Sequence, residues 1–290
     1  MPELPEVETV RRGLQQHIVG KKLSSVTVNW HKSLTNSQTE PSAHVIGASV
    51  KSVERRAKVL MLRLSSGYTL LCHLKMTGQL VYRGKGSFGA GHPNDSLVGD
   101  LPDASTRVIF TFEDDSNLYF NDQRKFGWIK LLPDSEVPEL GFIKKLGPEP
   151  LGDTFTEDIF IARMRRRNGA TVKSALLDQT VVAGAGNIYT DESLWGAKIH
   201  PATRVRDISD KSLHTLCNEL VGVLRLSIEL GGSTDKNYVD AEGKKGSYLR
   251  FAKVFRREGQ ACLRCGSIIQ KIRVAGRGTH VCNKCQKHKQ

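Results

Sequence analysis

Cys262-x2-Cys265, sixteen intervening residues, and then Cys282-x2-Cys285 constrain this chain more tightly than any other feature. Two CxxC knuckles at that spacing bring four thiolates to one point, the tetrahedral arrangement of a structural zinc ribbon. One zinc ion held by four protein ligands keeps no open position for water, so it folds the module and does not perform hydrolysis. Four of the six cysteines lie in the last 29 residues, whereas Cys72 and Cys217 sit in the apolar strings LLCHL and LHTLCNEL. That clustering argues for metal over disulfides, with the two remaining thiols packed as small hydrophobes. Arg277, in Val274-Ala275-Gly276-Arg277-Gly278-Thr279-His280, falls at the turn between the knuckles. A guanidinium there is either a solvated turn residue or a bidentate phosphate ligand.

Upstream of this module the patterning changes twice. Val7, Val10, Leu14 and Ile18 recur at helical spacing, with Pro5 suited to a first turn and Gly20 to a stop. From 45 to 130 the chain alternates in short β-type runs (VLMLRL, YTLLCHL, RVIFTF, NLYFND), which predict antiparallel hairpins in a sandwich or barrel. Residues 83–106, rich in glycine, proline and small polar residues, predict a long surface loop. After a proline-rich linker over 136–152, helices are expected over 156–167, 172–179, 187–197 and 209–230. The fold class is α+β. At 290 residues the chain suits about two domains.

A formal charge of +13 and a pI near 9.5 point to a polyanionic partner, either nucleic acid or an anionic membrane surface. No apolar run is long enough for a membrane span. The start MPELPEVETV has prolines and glutamates where a signal peptide needs a cationic and then an apolar segment, so a cytoplasmic location is expected. If Met1 is removed, Pro2 becomes a free secondary amine. Such an amine can attack a sugar C1′, displace a base and leave an iminium that drains electrons from the C2′–H bond. Glu3 and Glu6 bring carboxylates to the same end of the chain for proton transfer. A Pro-Glu pair can equally do no more than shape the entry to a helix.

The longer strings decide between these. Pro2-Glu3-Leu4-Pro5-Glu6-Val7-Glu8 resembles the start of the bacterial formamidopyrimidine-DNA glycosylases. The family's other motifs follow in order: Arg55-Arg56-Ala57-Lys58, His73-Leu74-Lys75-Met76-Thr77-Gly78, Asn121-Asp122-Gln123-Arg124-Lys125-Phe126-Gly127, Gly184-Ala185-Gly186-Asn187-Ile188-Tyr189 and the finger with Arg277. The resemblance covers nearly the whole chain. It implies an N-terminal β-sandwich domain with flanking helices (1–135), a linker (136–152), a helix-two-turn-helix domain (153–235), a base-capping loop region (236–255) and a zinc finger (256–290). It also implies removal of oxidised purines from duplex DNA, followed by β- and δ-elimination at the abasic sugar.

Residue by residue, the resemblance makes Pro2 the nucleophile, Glu3 the acid-base residue, and Lys58 and Arg277 partners at the reacting site. A base inside the duplex cannot be attacked until its nucleotide is turned outward, and Met76, Arg124 and Phe126 match the residues that fill the gap. Lys173, Asn187 and Lys236 match DNA-contacting positions. Arg107 stands where relatives carry a histidine, as either a replacement phosphate contact or an exposed strand residue. The expected partner is damaged double-stranded DNA bound by a monomer, with no membrane and no small-molecule cofactor. Two alternatives share some of these features. One is the sister class resembling endonuclease VIII, disfavoured by Leu4; the other is a non-catalytic zinc-ribbon DNA-binding protein, disfavoured by Pro2, Glu3 and Lys58.

Overall fold

The computed structural model describes residues 2–36, 41–92, 94–233 and 248–288. They form two compact units: residues 1–144 with 230–247, and residues 145–229 with 248–290.

In the first unit, helix α1 (Leu4–Ile18) precedes strands β1 (Leu23–Val28) and β2 (Leu34–Asn36), a short helix α2 (Pro41–Val45), and strands β3 (Val50–Arg56), β4 (Val59–Leu64), β5 (Tyr68–His73), β6 (Gly78–Arg83) and β7 (Ser87–Gly91). Strands β8 (Thr106–Phe112), β9 (Asn117–Asp122) and β10 (Trp128–Pro133) follow, with helix α3 (Gly141–Lys144) closing the segment. The strands make two five-stranded sheets, ordered β1-β8-β9-β6-β7 and β2-β10-β5-β4-β3. Every pairing is antiparallel except β10 with β2. Alternating residues of both sheets, including Leu60, Leu62, Leu80, Phe110, Phe120 and Ile129, share one core with Val7, Val10, Leu14 and Ile18 of α1. The architecture is therefore the sandwich, with each inner face buried and α1 sealing its edge.

Residues 83–106 depart from the expected loop. They contain β7 and a 3-10 turn at Asp95–Leu97, with Phe88, Ala90 and Leu97 buried. The glycines that read as loop punctuation are instead points of close packing. A Cβ on Gly91, at φ 130°, would sit 2.4 Å from the Gly78 carbonyl, and one on Gly89 would sit 3.0 Å from the Leu97 carbonyl. Phe88 in turn lies so tightly on α1 that a Cβ at Gly13 would come within 2.0 Å of its ring.

The second unit holds α4 (Glu157–Arg165), α5 (Val172–Leu177), α6 (Asn187–Gly196), α7 (Asp210–Glu229) and α8 (Tyr248–Phe251), followed by a hairpin of β11 (Gln270–Val274) and β12 (Arg277–Val281). Thr156 and Thr171 cap α4 and α5 through their hydroxyls, as the caps of such helices require. The long α7 buries Leu213, Leu216, Leu220 and Leu224 on one stripe. The expected linker is shared between the units, because Gly147 already donates its N–H to the Gln179 carbonyl at 2.8 Å. Among the described residues no helix is long and apolar enough to cross a membrane.

Candidate active site and nucleic-acid interface

Pro2 and Glu3 are both buried at the head of α1. Glu3 occupies the N-cap position of a capping box: its side chain accepts from the Glu6 N–H, and Glu6 returns the bond by accepting from the Glu3 N–H at 2.8 Å. The other Glu6 oxygen accepts from the Ser233 N–H at 2.8 Å. The Glu6 carboxylate thus lies beside Glu3 at the head of α1, as expected of the pair, and it also fixes the chain by accepting from these two backbone donors.

Lys58 follows Ala57, which turns β3 into β4 at a left-handed φ of 53°. That turn is tied to α1 by charge. Glu8 accepts from Arg55 at 3.1 Å, and Arg55 donates to the Ala57 carbonyl at 2.8 Å. Burial alone would lift the Glu8 carboxyl, but the guanidiniums of Arg11 and Arg55 outweigh it and hold the group below the ordinary carboxylate range. Lys58 itself is only 8% exposed. Its charge is felt at His73, the last residue of β5: burial, then Lys75 and Lys58, push that imidazole down to about 3, so it is neutral at physiological pH.

Met76 and Phe126 are 41% and 53% exposed, at the tips of the loops after β5 and β9. Arg124 lies between them, its Nη1 donating to Met76 Sδ at 3.1 Å and its guanidinium 4.8 Å from the centre of the Phe126 ring. A thioether, a guanidinium and an aromatic ring thus form one exposed group. Arg107, half-buried on β8, donates from Nε to the Asp122 carbonyl at 2.7 Å, and its Nη atoms have no partner among the described residues.

In the second unit Asn187 opens α6, and its amide donates to the Gly278 carbonyl at 3.0 Å. Arg277 is exposed and begins β12, just past a two-residue turn in which Ala275 and Gly276 are left-handed at φ 51° and 71°. Lys173 departs from the sequence expectation of a DNA contact. It is fully buried, and its ammonium donates to Asp191 Oδ1 at 2.6 Å, Thr279 Oγ1 at 2.7 Å and the Gly278 carbonyl at 3.3 Å. While those bonds hold, it cannot reach a phosphate; it fixes the hairpin that presents Arg277. The second Asp191 oxygen accepts from the His280 N–H at 2.9 Å.

The four candidate cysteines lie together, with their sulfurs all within 4.8 Å of one another. The Cys262–Cys285 and Cys265–Cys282 sulfur pairs are 3.9 and 3.5 Å apart. Tetrahedral Zn–S bonds require separations of about 3.8 Å. The residues therefore fit one structural zinc, and the Trp195 indole donates to Cys262 Sγ at 3.4 Å behind it. Lys236 lies outside the described residues, as does 237–247 of the expected capping region.

Sequence reasoning assigned no role to the carboxylates that hold these elements: Glu8, Asp122, Asp191 and Glu192. Glu192 accepts from the N–H groups of Lys253, Val254 and Phe255 at 2.8–2.9 Å. A capping-box reading of Glu3 and Glu6 was available, since the two are three residues apart at a helix start.

Three family models match the chain: the formamidopyrimidine-DNA glycosylase N-terminal domain over residues 1–129, the H2TH domain of the same enzymes over 146–238, and the zinc finger found in FPG and IleRS over 259–287. The formamidopyrimidine-DNA glycosylase of Ligilactobacillus salivarius is 39% identical over 286 residues, covering 99% of each chain. That of Desulforamulus reducens is 40% identical over 292 residues, covering both chains completely. Among solved structures, a Lactococcus lactis Fpg variant in complex with DNA containing Fapy-dG superposes with a TM-score of 0.87 at 34% identity, covering 99% of this chain and 100% of that one. The Lactococcus enzyme bound non-covalently to DNA with an AP site gives a TM-score of 0.84 at the same identity and coverage. With three successive domain models matched and relatives similar from end to end, the chain belongs to the formamidopyrimidine-DNA glycosylase family.

Proposed function

We propose that this protein is a base-excision repair enzyme that removes oxidised purines, 8-oxoguanine and formamidopyrimidines, from duplex DNA and then cleaves the abasic strand. The observation that carries this reading is a proline followed by a buried carboxylate at the head of α1, in a chain that matches the family across all three modules.

Once Met1 is removed, the Pro2 amine attacks C1′ of the damaged nucleotide. The C1′–N bond breaks and the base leaves with its electron pair, taking up a proton. Glu3 is positioned to shuttle protons to and from the sugar. The Pro2 nitrogen gives up its proton and expels O4′: the C1′–O4′ bond breaks, O4′ takes up a proton, and the ring-opened sugar is left as a C1′ iminium. The iminium accepts the electron pair of the C2′–H bond, which expels the 3′ phosphate; a second elimination expels the 5′ phosphate. The iminium formed on Pro2 is the electron sink, so the reaction needs no small-molecule cofactor. While Met1 remains, the Pro2 nitrogen is an amide and cannot attack.

Lys58 neutralises charge at the reacting phosphates, and Arg277 with Asn187 grips the DNA backbone from the second unit. Arg107 contacts phosphate through its terminal nitrogens. Met76, Arg124 and Phe126 enter the helix to fill the gap left by the extruded nucleotide, a role supported by their exposure and mutual contact. In this reading residues 1–135 carry the chemistry, 136–152 link, 153–235 and the finger at 256–290 hold DNA, and 236–255, including Lys236, covers the extruded base. The zinc ion, when bound to Cys262, Cys265, Cys282 and Cys285, supplies only structure. The enzyme acts as a monomer in the bacterial cytoplasm, where its DNA lies.

Incubation of Met-processed, zinc-loaded protein with an 8-oxoguanine:cytosine duplex and borohydride should give a covalent adduct through Pro2. Absence of the adduct would overturn the mechanism, and faster excision of thymine glycol than of 8-oxoguanine would overturn the purine preference.

A further inference from the structure

Between the loop bearing Met76 and the loop bearing Arg124 and Phe126 lies a carboxylate that the chemistry above does not use. Asp122, the last residue of β9, is fully buried. One of its oxygens accepts from the Thr77 hydroxyl and, at 3.2 Å, from the Arg124 N–H; the other accepts from the Gly127 N–H at 2.6 Å. The Thr77 oxygen also accepts from the Arg124 N–H, at 3.0 Å. Thr77 adjoins Met76, and Gly127 adjoins Phe126. The pair therefore fastens the backbone next to all three exposed side chains.

The backbone at these tips needs such fastening. Lys75 and Lys125 are left-handed at φ 51° and 58°, a conformation that side chains bearing a Cβ keep only where the surroundings impose it. There is no slack on the carboxylate side either. A Cβ at Gly127 would stand 3.0 Å from Asp122 Oδ2 and 2.7 Å from the Phe120 ring. Asp122 also faces Gly78 across the β9–β6 register, and its carbonyl receives Arg107. One residue thus touches both loops and a further cation.

We infer that Asp122 and Thr77 are positioning residues that set Met76, Arg124 and Phe126 as a single preformed wedge, ready to enter the helix without first being ordered. The inference rests on the wedge role proposed above. A carboxylate is required because both oxygens must accept. An amide would turn one of them into a donor facing an N–H or O–H group.

The test compares Asp122→Asn, Thr77→Val, Thr77→Ser and Phe126→Ala on two substrates. One is an 8-oxoguanine:cytosine duplex, read as single-turnover base removal. The other is a preformed abasic site in a single strand, read as strand cleavage, where there is no stacked helix to open. Asp122→Asn and Thr77→Val should lose about 10- to 100-fold on the duplex while staying within about threefold on the single strand, the scale expected when reacting groups are misplaced by about an ångström. Thr77→Ser keeps the hydroxyl and should behave as the parent. Should Asp122→Asn fail to fold, the two Thr77 variants carry the comparison. Equal losses on both substrates, or a Thr77→Val enzyme unimpaired on the duplex while Phe126→Ala is impaired, would overturn the inference. A Phe126→Ala enzyme unimpaired on the duplex would instead overturn the wedge role on which it rests.

Discussion

Replacing Asp191 with asparagine should destabilise the second unit far more than a single hydrogen bond would suggest. Lys173 and Asp191 are both essentially unexposed, and their 2.6 Å ion pair sits in a network that the Thr279 hydroxyl and the Gly278 carbonyl complete. Asparagine keeps the shape but removes the anion, leaving an ammonium in a dry site with neutral acceptors alone. It also turns one oxygen into a donor, opposed either to the ammonium or to the His280 N–H. Removing one partner of a buried pair in this way costs about 3–5 kcal/mol. For a unit of this size that is a fall in melting temperature of roughly 10 to 20 °C. Calorimetry on zinc-loaded protein measures it directly. The double variant Lys173→Met with Asp191→Asn removes the stranded cation, so it should lose less than the sum of the single changes, with a coupling of about 1–3 kcal/mol. A loss below about 1 kcal/mol in Asp191→Asn would refute the reasoning, since it would mean that the ammonium reaches water or is held without the anion.

Further predictions follow from the same physical rules. Gly13→Ala should destabilise the sandwich by about 1–3 kcal/mol in urea unfolding, although alanine favours helix, because the new methyl overlaps the Phe88 ring; Phe88→Leu in the same chain should recover part of the loss. Burial pushes His73 from 6.5 down to about 3, so between these values the unfolded chain binds a proton that the folded chain refuses. Stability should therefore fall as pH drops from about 6.5 towards 3, and His73→Asn should flatten that slope in acid-unfolding curves. Trp195→Phe deletes the hydrogen bond to Cys262 Sγ and should weaken zinc affinity by about 10- to 100-fold in competition with a chromogenic chelator. Stripping the zinc should abolish hydrogen-exchange protection in β11 and β12 while sparing α7, whose leucine stripe packs without the metal.

Much of this architecture was legible because its signals are local. Leucines at helical spacing mark α7, and the cysteine spacing specifies its own chemistry. β1 was not legible. It buries only Leu23 fully, so its alternation is faint, and it is a sheet edge held chiefly by β8. β7 was hidden by the residues that let it pack, since Gly89 and Gly91 suit both a loop and a strand pressed against its neighbours. At the site, Pro2, Glu3 and Lys58 lie in recognisable strings, and so do the groups that fix them, but the strings do not say which group meets which. Glu8 meets Arg55 across 47 residues, and Thr77 meets Asp122 across 45. Such partners have no spacing that a linear reading can test. Lys173 misled for the same reason: a lysine that matches a DNA-contacting position reads as accessible until the acid at 191 is known to lie against it.

Helical periodicity explains how one short element orders the whole finger. Asn187 and Asp191 are four residues apart, so they share a face of α6, and that face meets the hairpin at Gly278 and His280. Glu192 and Trp195 are three apart on the adjacent face, where they meet the backbone of 253–255 and the first knuckle. Arg264 closes the circuit by stacking on Trp195 at 3.8 Å and donating to the Trp195 carbonyl at 3.0 Å. Four sulfurs around a metal can fix the knuckles relative to each other, but nothing in a tetrahedron sets the direction of a hairpin that projects beyond it. Asn187, Asp191 and Lys173 set it. The helix that carries the first two is locked in turn on α7, where a Cβ at Gly196 would come within 2.2 Å of Glu219. The aim of Arg277 is thus decided mainly by buried charge on α5 and α6, and zinc holds in place the base from which it is aimed.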